Sequence, residues 1–392
     1  MEARRILLDL FDAAVRAVDG RGAVEVVLRD RPRTRTVGFA IGKAASSMAR
    51  GAVDALQDSL EELFVVTKDG HVHPGLRNRA NCAVIECAHP VPDERSLAAG
   101  AELERRLYRL SPGVLPLFLV SGGSSSLVEL LQPGRRLEDL RELNQRGLSC
   151  GWDIATLNAE RRKLSTLKGG GVARRLGGRE ALALFLSDVP GDDPGIIGSG
   201  LLGRYPGVAD SVTRLVVANL RTAVQEAVDA AHAHGLVLER CEYFDGEAES
   251  VAAQFVQALR ETTKDGLVWG GESTVKLPAR PGRGGRNTHL ALAAARLLRA
   301  GEGLTILAAA TDGTDGPTDD AGAIVDAGTI ERAELGGCDV ERAYREFDSA
   351  AALEAAGDLV HTGPTGTNVG DLLVGLKHSA NSLHGLVRLR ML

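Results

Sequence analysis

Short apolar runs recur along the chain, each closed by small or polar residues. They are TVGFAI (36–41), LFVVT (63–67), CAVIE (82–86), LPLFLVS (115–121) and LALFLS (182–187). Runs of this length without polar alternation predict strands buried on both faces. Between most of them apolar residues recur every three or four positions, predicting helices over 43–60, 93–110 and 154–176. Strands alternating with helices imply a parallel sheet covered on both sides. The opening residues, MEARRILLDLFDAAVRAV, place apolar side chains near i, i+3, i+4 and i+7 and carry early acids, so they read as a folded helix and not a signal peptide.

A second series follows helical patterns over 217–235 and 247–264. It holds GLVWGG (266–271), LTILAAATDGTDG (304–316), AIVD (323–326) and DLVHTGPTGTNVGDLLVGL (358–376). A domain boundary is therefore expected near 225–245. The chain has 392 residues, 44% of them apolar, with 47 glycines and only 4% aromatics. That mixture favours an α/β protein packed with Ala, Leu and Val over a β-sandwich.

Charge and cysteine narrow the function classes. A net charge of −6 gives no reason to expect a nucleic-acid partner, and RDRPRTR (29–35) reads as a solvated loop. The five cysteines, at 82, 87, 150, 241 and 338, form no C-x-x-C pair, which argues against zinc and against a disulfide framework. Reduced thiols in a cytoplasmic protein are expected. No run approaches the roughly 18 apolar residues of a membrane span.

Parallel sheets bind ligands beyond the carboxyl ends of their strands, so the chemistry is expected in the loops there. Lys43 follows the first strand at a helix start, where it serves either as an anion clamp or as a surface lysine; the glycine spacing is not that of a phosphate-binding P-loop. Ser121, Gly122, Gly123 and Ser124 form either an anion nest or an ordinary turn with a serine cap. In NAERRKLSTLKGGGVA, Arg161 and Lys168 share one broad helical face with Leu164 and Leu167, placing a cation inward for a carboxylate or phosphate. Arg283, Arg286 and Asn287 belong to a flexible basic loop suited to phosphates. Asp312, Asp315, Asp319 and Asp320 follow another apolar strand in a pattern that suits Mg²⁺ better than Ca²⁺. Thr365, Gly366, Thr367 and Asn368 make a further backbone nest. Nests, basic loops and isolated aspartates together match phosphoryl transfer.

One stretch, LFLSDVPGDDPGIIGSGLLG (184–203), carries two conflicting signals. Gly198, Gly200 and Gly203 spell the dinucleotide fingerprint, yet they do not directly close a strand. At the expected distance the chain offers only Gln225 and Glu226 inside a predicted helix. The acidic half, with Asp188 at the strand end and Asp192 and Asp193 in the loop, is the expected site of chemistry.

Taken in order, GKAA (42–45), SGGSSSL (121–127), LNAERRKLSTLKGG (157–170), LSDVPGDDPGIIGSG (186–200), GGESTV (270–275), GRGGRN (282–287), TDGTDGPTDDAGAIVD (311–326) and HTGPTGTNVGDL (361–372) resemble the glycerate 2-kinases with a C-terminal MOFRL domain. The resemblance covers roughly residues 5–376. It implies a Rossmann-like domain over 1–235, a smaller α/β MOFRL-like domain over 236–376 and a tail over 377–392, with the site in the cleft between the domains. It implies ATP- and Mg²⁺-dependent phosphorylation of D-glycerate, typically to 2-phosphoglycerate, with no nucleic-acid or membrane partner; a homodimer is compatible with it. By matching motifs, Lys43, Asp188 and Arg283 are the expected catalytic residues, and Asp188, Asp312 and Asp315 the expected metal partners. The expected substrate and phosphate contacts are Ser121 to Ser124, Arg161, Lys168, Arg286, Asn287 and Thr365 to Asn368. Members often carry the name hydroxypyruvate reductase, which makes an NAD(P)H-dependent reductase the rival. The chain departs from the family pattern in its serine loop, in Arg162 to Leu164, and at Thr288 and His289, where Gln-Glu is usual. Another small hydroxy acid is therefore the alternative substrate.

Overall fold

The computed structural model describes residues 2–150 and 154–378, so the expected tail lies outside the described residues from residue 379 on. Six strands form the first sheet: β1 (Thr36–Ile41), β2 (Leu60–Lys68), β3 (Cys82–Cys87), β4 (Leu115–Val120), β5 (Ala181–Ser187) and β6 (Val212–Asn219). Their order is β3-β2-β1-β4-β5-β6 and every pairing is parallel. This is the doubly wound order, with its reversal between β1 and β4. β1 and β5 are buried along their whole length, as their unbroken apolar runs require. Phe39 on β1 stacks on Phe118 of β4 with ring centroids 5.1 Å apart; truncating either ring to alanine would cost about 3–5 kcal/mol.

Local chemistry sets the helix limits. Asp93 opens the helix Glu94–Tyr108 with a reciprocal capping box to Ser96. The single helix expected over 154–176 is instead two, Ile154–Leu164 and Gly171–Leu176. The Ser165 hydroxyl accepts the N–H groups of Leu167 and Lys168, offering the backbone a turn in place of the next helical bonds. Gly169 and Gly170 then adopt left-handed backbone at φ 60° and 86°. The edge strand β6 escapes the pattern because its side chains are mostly half-exposed.

The second sheet contains β7 (Leu238–Glu247), β8 (Gly266–Thr274), β9 (Leu304–Ala310), β10 (Gly322–Asp326), β11 (Leu359–Val360) and β12 (Asp371–Lys377). The order is β11-β10-β9-β12-β8-β7, with only β7 and β8 parallel. Phe255 meets Trp269 edge-on at 5.0 Å in the core beneath it.

The chain separates into two compact units. The parallel-sheet unit spans Val18–Asn219 together with Gly366–Val369, and the mixed-sheet unit takes the described parts of 1–17, 220–365 and 370–392. The division after Asn219 comes before the interval 225–245, because Leu220 and Val224 on the helix Leu220–Ala233 lie close against Gly270 of β8. The helix Glu2–Ala17 also joins the mixed-sheet unit: Arg4 pairs with Asp326 and Asp358, each at 2.8 Å, and Arg332 closes the ring from the other side. Among the described residues no helix is long and apolar enough to cross a membrane.

Candidate functional site

The reversal between β1 and β4 separates two loops that approach each other closely. The Lys43 N–H donates to the Gly122 carbonyl at 2.9 Å, and the Ser121 N–H donates to the Ile41 carbonyl at 3.0 Å. The Ser121 hydroxyl accepts the Ala44 N–H at 3.0 Å, so this side chain fastens the two loops together. The third wall comes from the end of β5, where Asp188 stands. Asn368 donates from Nδ2 to Asp188 Oδ2 at 2.9 Å, and its Oδ1 accepts from Lys43 Nζ at 3.4 Å. A cation, an amide and a carboxylate are thereby aligned within the parallel-sheet unit.

Gly122 is dictated by this alignment, since a Cβ there would collide with both Asp188 and Asn368. Gly123 is left-handed at φ 82°, and the site of its missing Cβ lies 3.0 Å from both His89 Nε2 and Lys43 Cγ. His89 therefore belongs to the group, although a single loop histidine gives little signal in sequence. Its signal was its place directly after β3, at the same sheet edge as Lys43 and Asp188.

The other predicted residues of this unit serve neighbouring tasks. Ser124 is fully buried, and its hydroxyl, without a hydrogen-bond partner among the described residues, faces Gly198. Ser125 meets Ser199 at 2.7 Å, Ser199 donates to Asn158 at 3.0 Å, and Arg161 donates to the same Asn158 oxygen at 3.4 Å. Burial lowers the pKa of Arg161, with Glu129 opposing the shift. Lys168 does not share a helical face with Arg161, because the helix ends at Leu164. Its ammonium is wholly buried and paired with Glu129.

The acidic loop shapes itself. Asp192 accepts from Asn219 Nδ2 at 2.7 Å, and Asp193 accepts the Gly195 N–H at 2.7 Å. The glycines of the apparent fingerprint form a packing turn: Gly169 and Gly170 donate to the carbonyls of Ser199 and Gly200 at 3.0 and 2.7 Å. Ser199 sits there at φ 57°, the left-handed region that non-glycine residues seldom enter.

In the mixed-sheet unit the loop residues are engaged in building structure. Asp315 is buried and accepts the N–H groups of Asn287 and Thr288 at 2.9 and 2.7 Å, and the Thr288 hydroxyl at 2.8 Å. It thus caps the helix Arg286–Leu297. Burial raises its pKa, and these bonds oppose the shift. Asp312 accepts from the N–H and hydroxyl of Thr314 at 3.0 and 3.1 Å. Asp320 pairs with His361 at 2.8 Å, and the Thr365 hydroxyl donates to the Thr311 carbonyl. Arg283 pairs with Glu354 at the surface.

Arg286 pairs with Glu272 and reaches Asp371 at 3.3 Å. Burial pulls its pKa down, but those carboxylates push it up further. Asp371 itself is fully buried, and burial raises its pKa to about 7, with Arg286 opposing and Glu272 reinforcing the shift. Thr288 and His289, the two departures from the family pattern, are accounted for by packing. Thr288 completes the cap, and the His289 ring stacks between Tyr344 and Phe347 at 4.9 and 4.1 Å. Among the described residues no three His, Cys, Asp or Glu side chains converge in a way that could hold a metal ion.

The chain matches two family models: a domain of unknown function, DUF4147, over residues 6–233, and the MOFRL family over residues 266–371. It is 34% identical to the D-glycerate 2-kinase of Thermotoga maritima, over 95% of this chain and 98% of that protein. It is 35% identical to an Agrobacterium vitis protein provisionally named hydroxypyruvate reductase, over 95% and 94% of the two chains. The crystal structure of glycerate kinase from Thermotoga maritima superposes with a TM-score of 0.83 at 32% identity, over 96% of this chain and all of that one.

Proposed function

The chain belongs to the glycerate 2-kinase family with a MOFRL domain, and from that premise we propose that it transfers the γ-phosphoryl group of ATP to D-glycerate, giving 2-phosphoglycerate. The observation that supports this reading best is the alignment of Lys43, Asn368 and Asp188 at the β1/β4 reversal. Phosphoryl transfer asks the protein mainly to position its reactants and to neutralise charge. Lys43 supplies the positive charge, and loss of one such group typically costs 10²–10³-fold in turnover. Asp188, its Oδ2 steadied by the Asn368 amide, serves the transfer as base for the substrate hydroxyl or, where Mg²⁺ is bound, as the ion's ligand.

Mg²⁺ asks for only one or two carboxylates, filling its other positions with phosphate oxygens and water. Asp188 meets that need and would be the ligand. Asp315, whose two oxygens are committed to the start of a helix, does not. When bound, the ion neutralises charge on the phosphates.

The deciding experiment supplies the protein with D-glycerate, ATP and Mg²⁺ and follows the products by ³¹P NMR. ADP and 2-phosphoglycerate are expected in equal amounts. Oxidation of NAD(P)H by hydroxypyruvate, without ADP formation, would overturn the proposal in favour of the reductase.

A further inference from the structure

A cavity of about 500 Å³ opens in the parallel-sheet unit beside the turn Gly195–Pro206, and neither Lys43 nor Asp188 lines it. Its volume lies in the ordinary range for small-molecule sites. Three arginines line it, Arg162, Arg174 and Arg204, and no Asp or Glu does. The chain as a whole carries a net charge of −6, so a cavity wall with three arginines and no carboxylate runs against its overall charge balance.

Two of the three guanidinium groups, those of Arg162 and Arg174, are held by neutral partners. Arg162 donates to the Gly195 carbonyl at 2.9 Å. Arg174 lies over the Tyr205 ring, 5.0 Å from its centroid, and donates to the Tyr205 hydroxyl at 3.3 Å. Neither forms an ion pair with a carboxylate among the described residues. Arg204 reaches Asp210 at 3.4 Å from the rim, but Arg214 already grips both oxygens of that carboxylate at 2.9 Å. Lys168 also borders the cavity, and its charge is cancelled internally by Glu129.

From this geometry we infer that the cavity is a second anion site, which takes the phosphate monoester of a small polar molecule. Guanidinium forks match phosphate oxygens in pairs, and two such forks held by neutral partners keep their charge available. A nucleotide fits less well. The one aromatic ring on the wall, Tyr205, has a face covered by Arg174, which leaves less of it for a base to stack upon. The inference stands independently of the kinase reading, because it uses none of the residues assigned to transfer.

Isothermal titration calorimetry on the full-length protein at fixed ionic strength tests it, with inorganic phosphate, glycerol 3-phosphate and a non-hydrolysable ATP analogue as probes. Wild type and Lys43→Ala are expected to bind glycerol 3-phosphate saturably and equally. The Arg162→Gln/Arg174→Gln double variant should bind it at least tenfold more weakly. Arg162→Gln alone, which changes an exposed side chain and leaves the Tyr205 contact intact, should weaken it at least threefold at an unchanged Tm. The inference fails if wild type shows no saturable binding, if Lys43→Ala abolishes it, or if the arginine variants bind like wild type. It also fails if the double variant loses only the ATP analogue, which would make the cavity a nucleotide site.

Discussion

The two units carry loops of nearly the same composition, glycine-rich and charged, and use them in opposite ways. In the parallel-sheet unit, Lys43 and Asp188, each just beyond a strand end, are joined through Asn368 from the segment Gly366–Val369. In the mixed-sheet unit, Asp315 anchors a helix, Asp312 a turn and Arg286 a buried carboxylate. The difference follows from architecture. A doubly wound sheet gathers the loops after its strands at one edge, where the β1/β4 reversal leaves a crevice. A mainly antiparallel sheet sends successive loops to opposite edges, so its charged loops have buried termini and turns to satisfy.

The contrast can be tested by substitution. Lys43→Ala and Asp188→Asn should each lower kcat by about 10²–10³-fold while Tm stays within a few degrees of wild type; steady-state kinetics and calorimetry read both. Asp315→Ala should act the other way. It frees two buried N–H groups at a helix start and should cost about 2–3 kcal/mol in urea unfolding, with turnover per folded molecule retained. A raised Mg²⁺ requirement at unchanged stability would break the comparison, because Asp315 would then be a metal ligand.

A smaller effect concerns pH. Asp371 titrates at about 7 when folded, against about 3.9 in an unfolded chain. Between those values the folded state holds the extra proton, so its contribution is full below about pH 4 and is lost as pH rises toward 7. The slope is at most about 1.4 kcal/mol per pH unit. Asp371→Asn should flatten that decline in a series of urea titrations. The smallest effect belongs to Arg283→Gln, which breaks only an exposed pair with Glu354 and should change stability by no more than about 0.5 kcal/mol.

The strands of the parallel sheet were readable because each is a continuous apolar run, and β1 and β5 end within a residue or so of where those runs stop. β6 and β7 were not: β6 is an edge strand whose half-exposed side chains blur the contrast that periodicity needs, and β7 is the edge strand of its own sheet. The expected helix over 154–176 failed at Ser165, whose hydroxyl competes with the backbone over a distance too short for periodicity to register. At the site, Lys43, Gly122 and Asp188 could be picked out from their positions after apolar strands. The commitment of Lys168 to Glu129 could not, since it joins residues 39 apart. Nor could the roles of Thr288 and His289, which depend on partners from distant loops.

The four residues Gly366–Val369 belong to the parallel-sheet unit although the chain on either side of them belongs to the other. Asn368 thus reaches Asp188 from 180 positions away in sequence. A gene fragment encoding Val18–Asn219 alone would specify all six parallel strands and still omit the amide between Lys43 and Asp188. The compact unit that holds this trio is therefore not a single continuous stretch of sequence. Duplication or exchange of either half by recombination would carry the six-stranded scaffold to a new protein and leave the Asn368 contact to Asp188 behind.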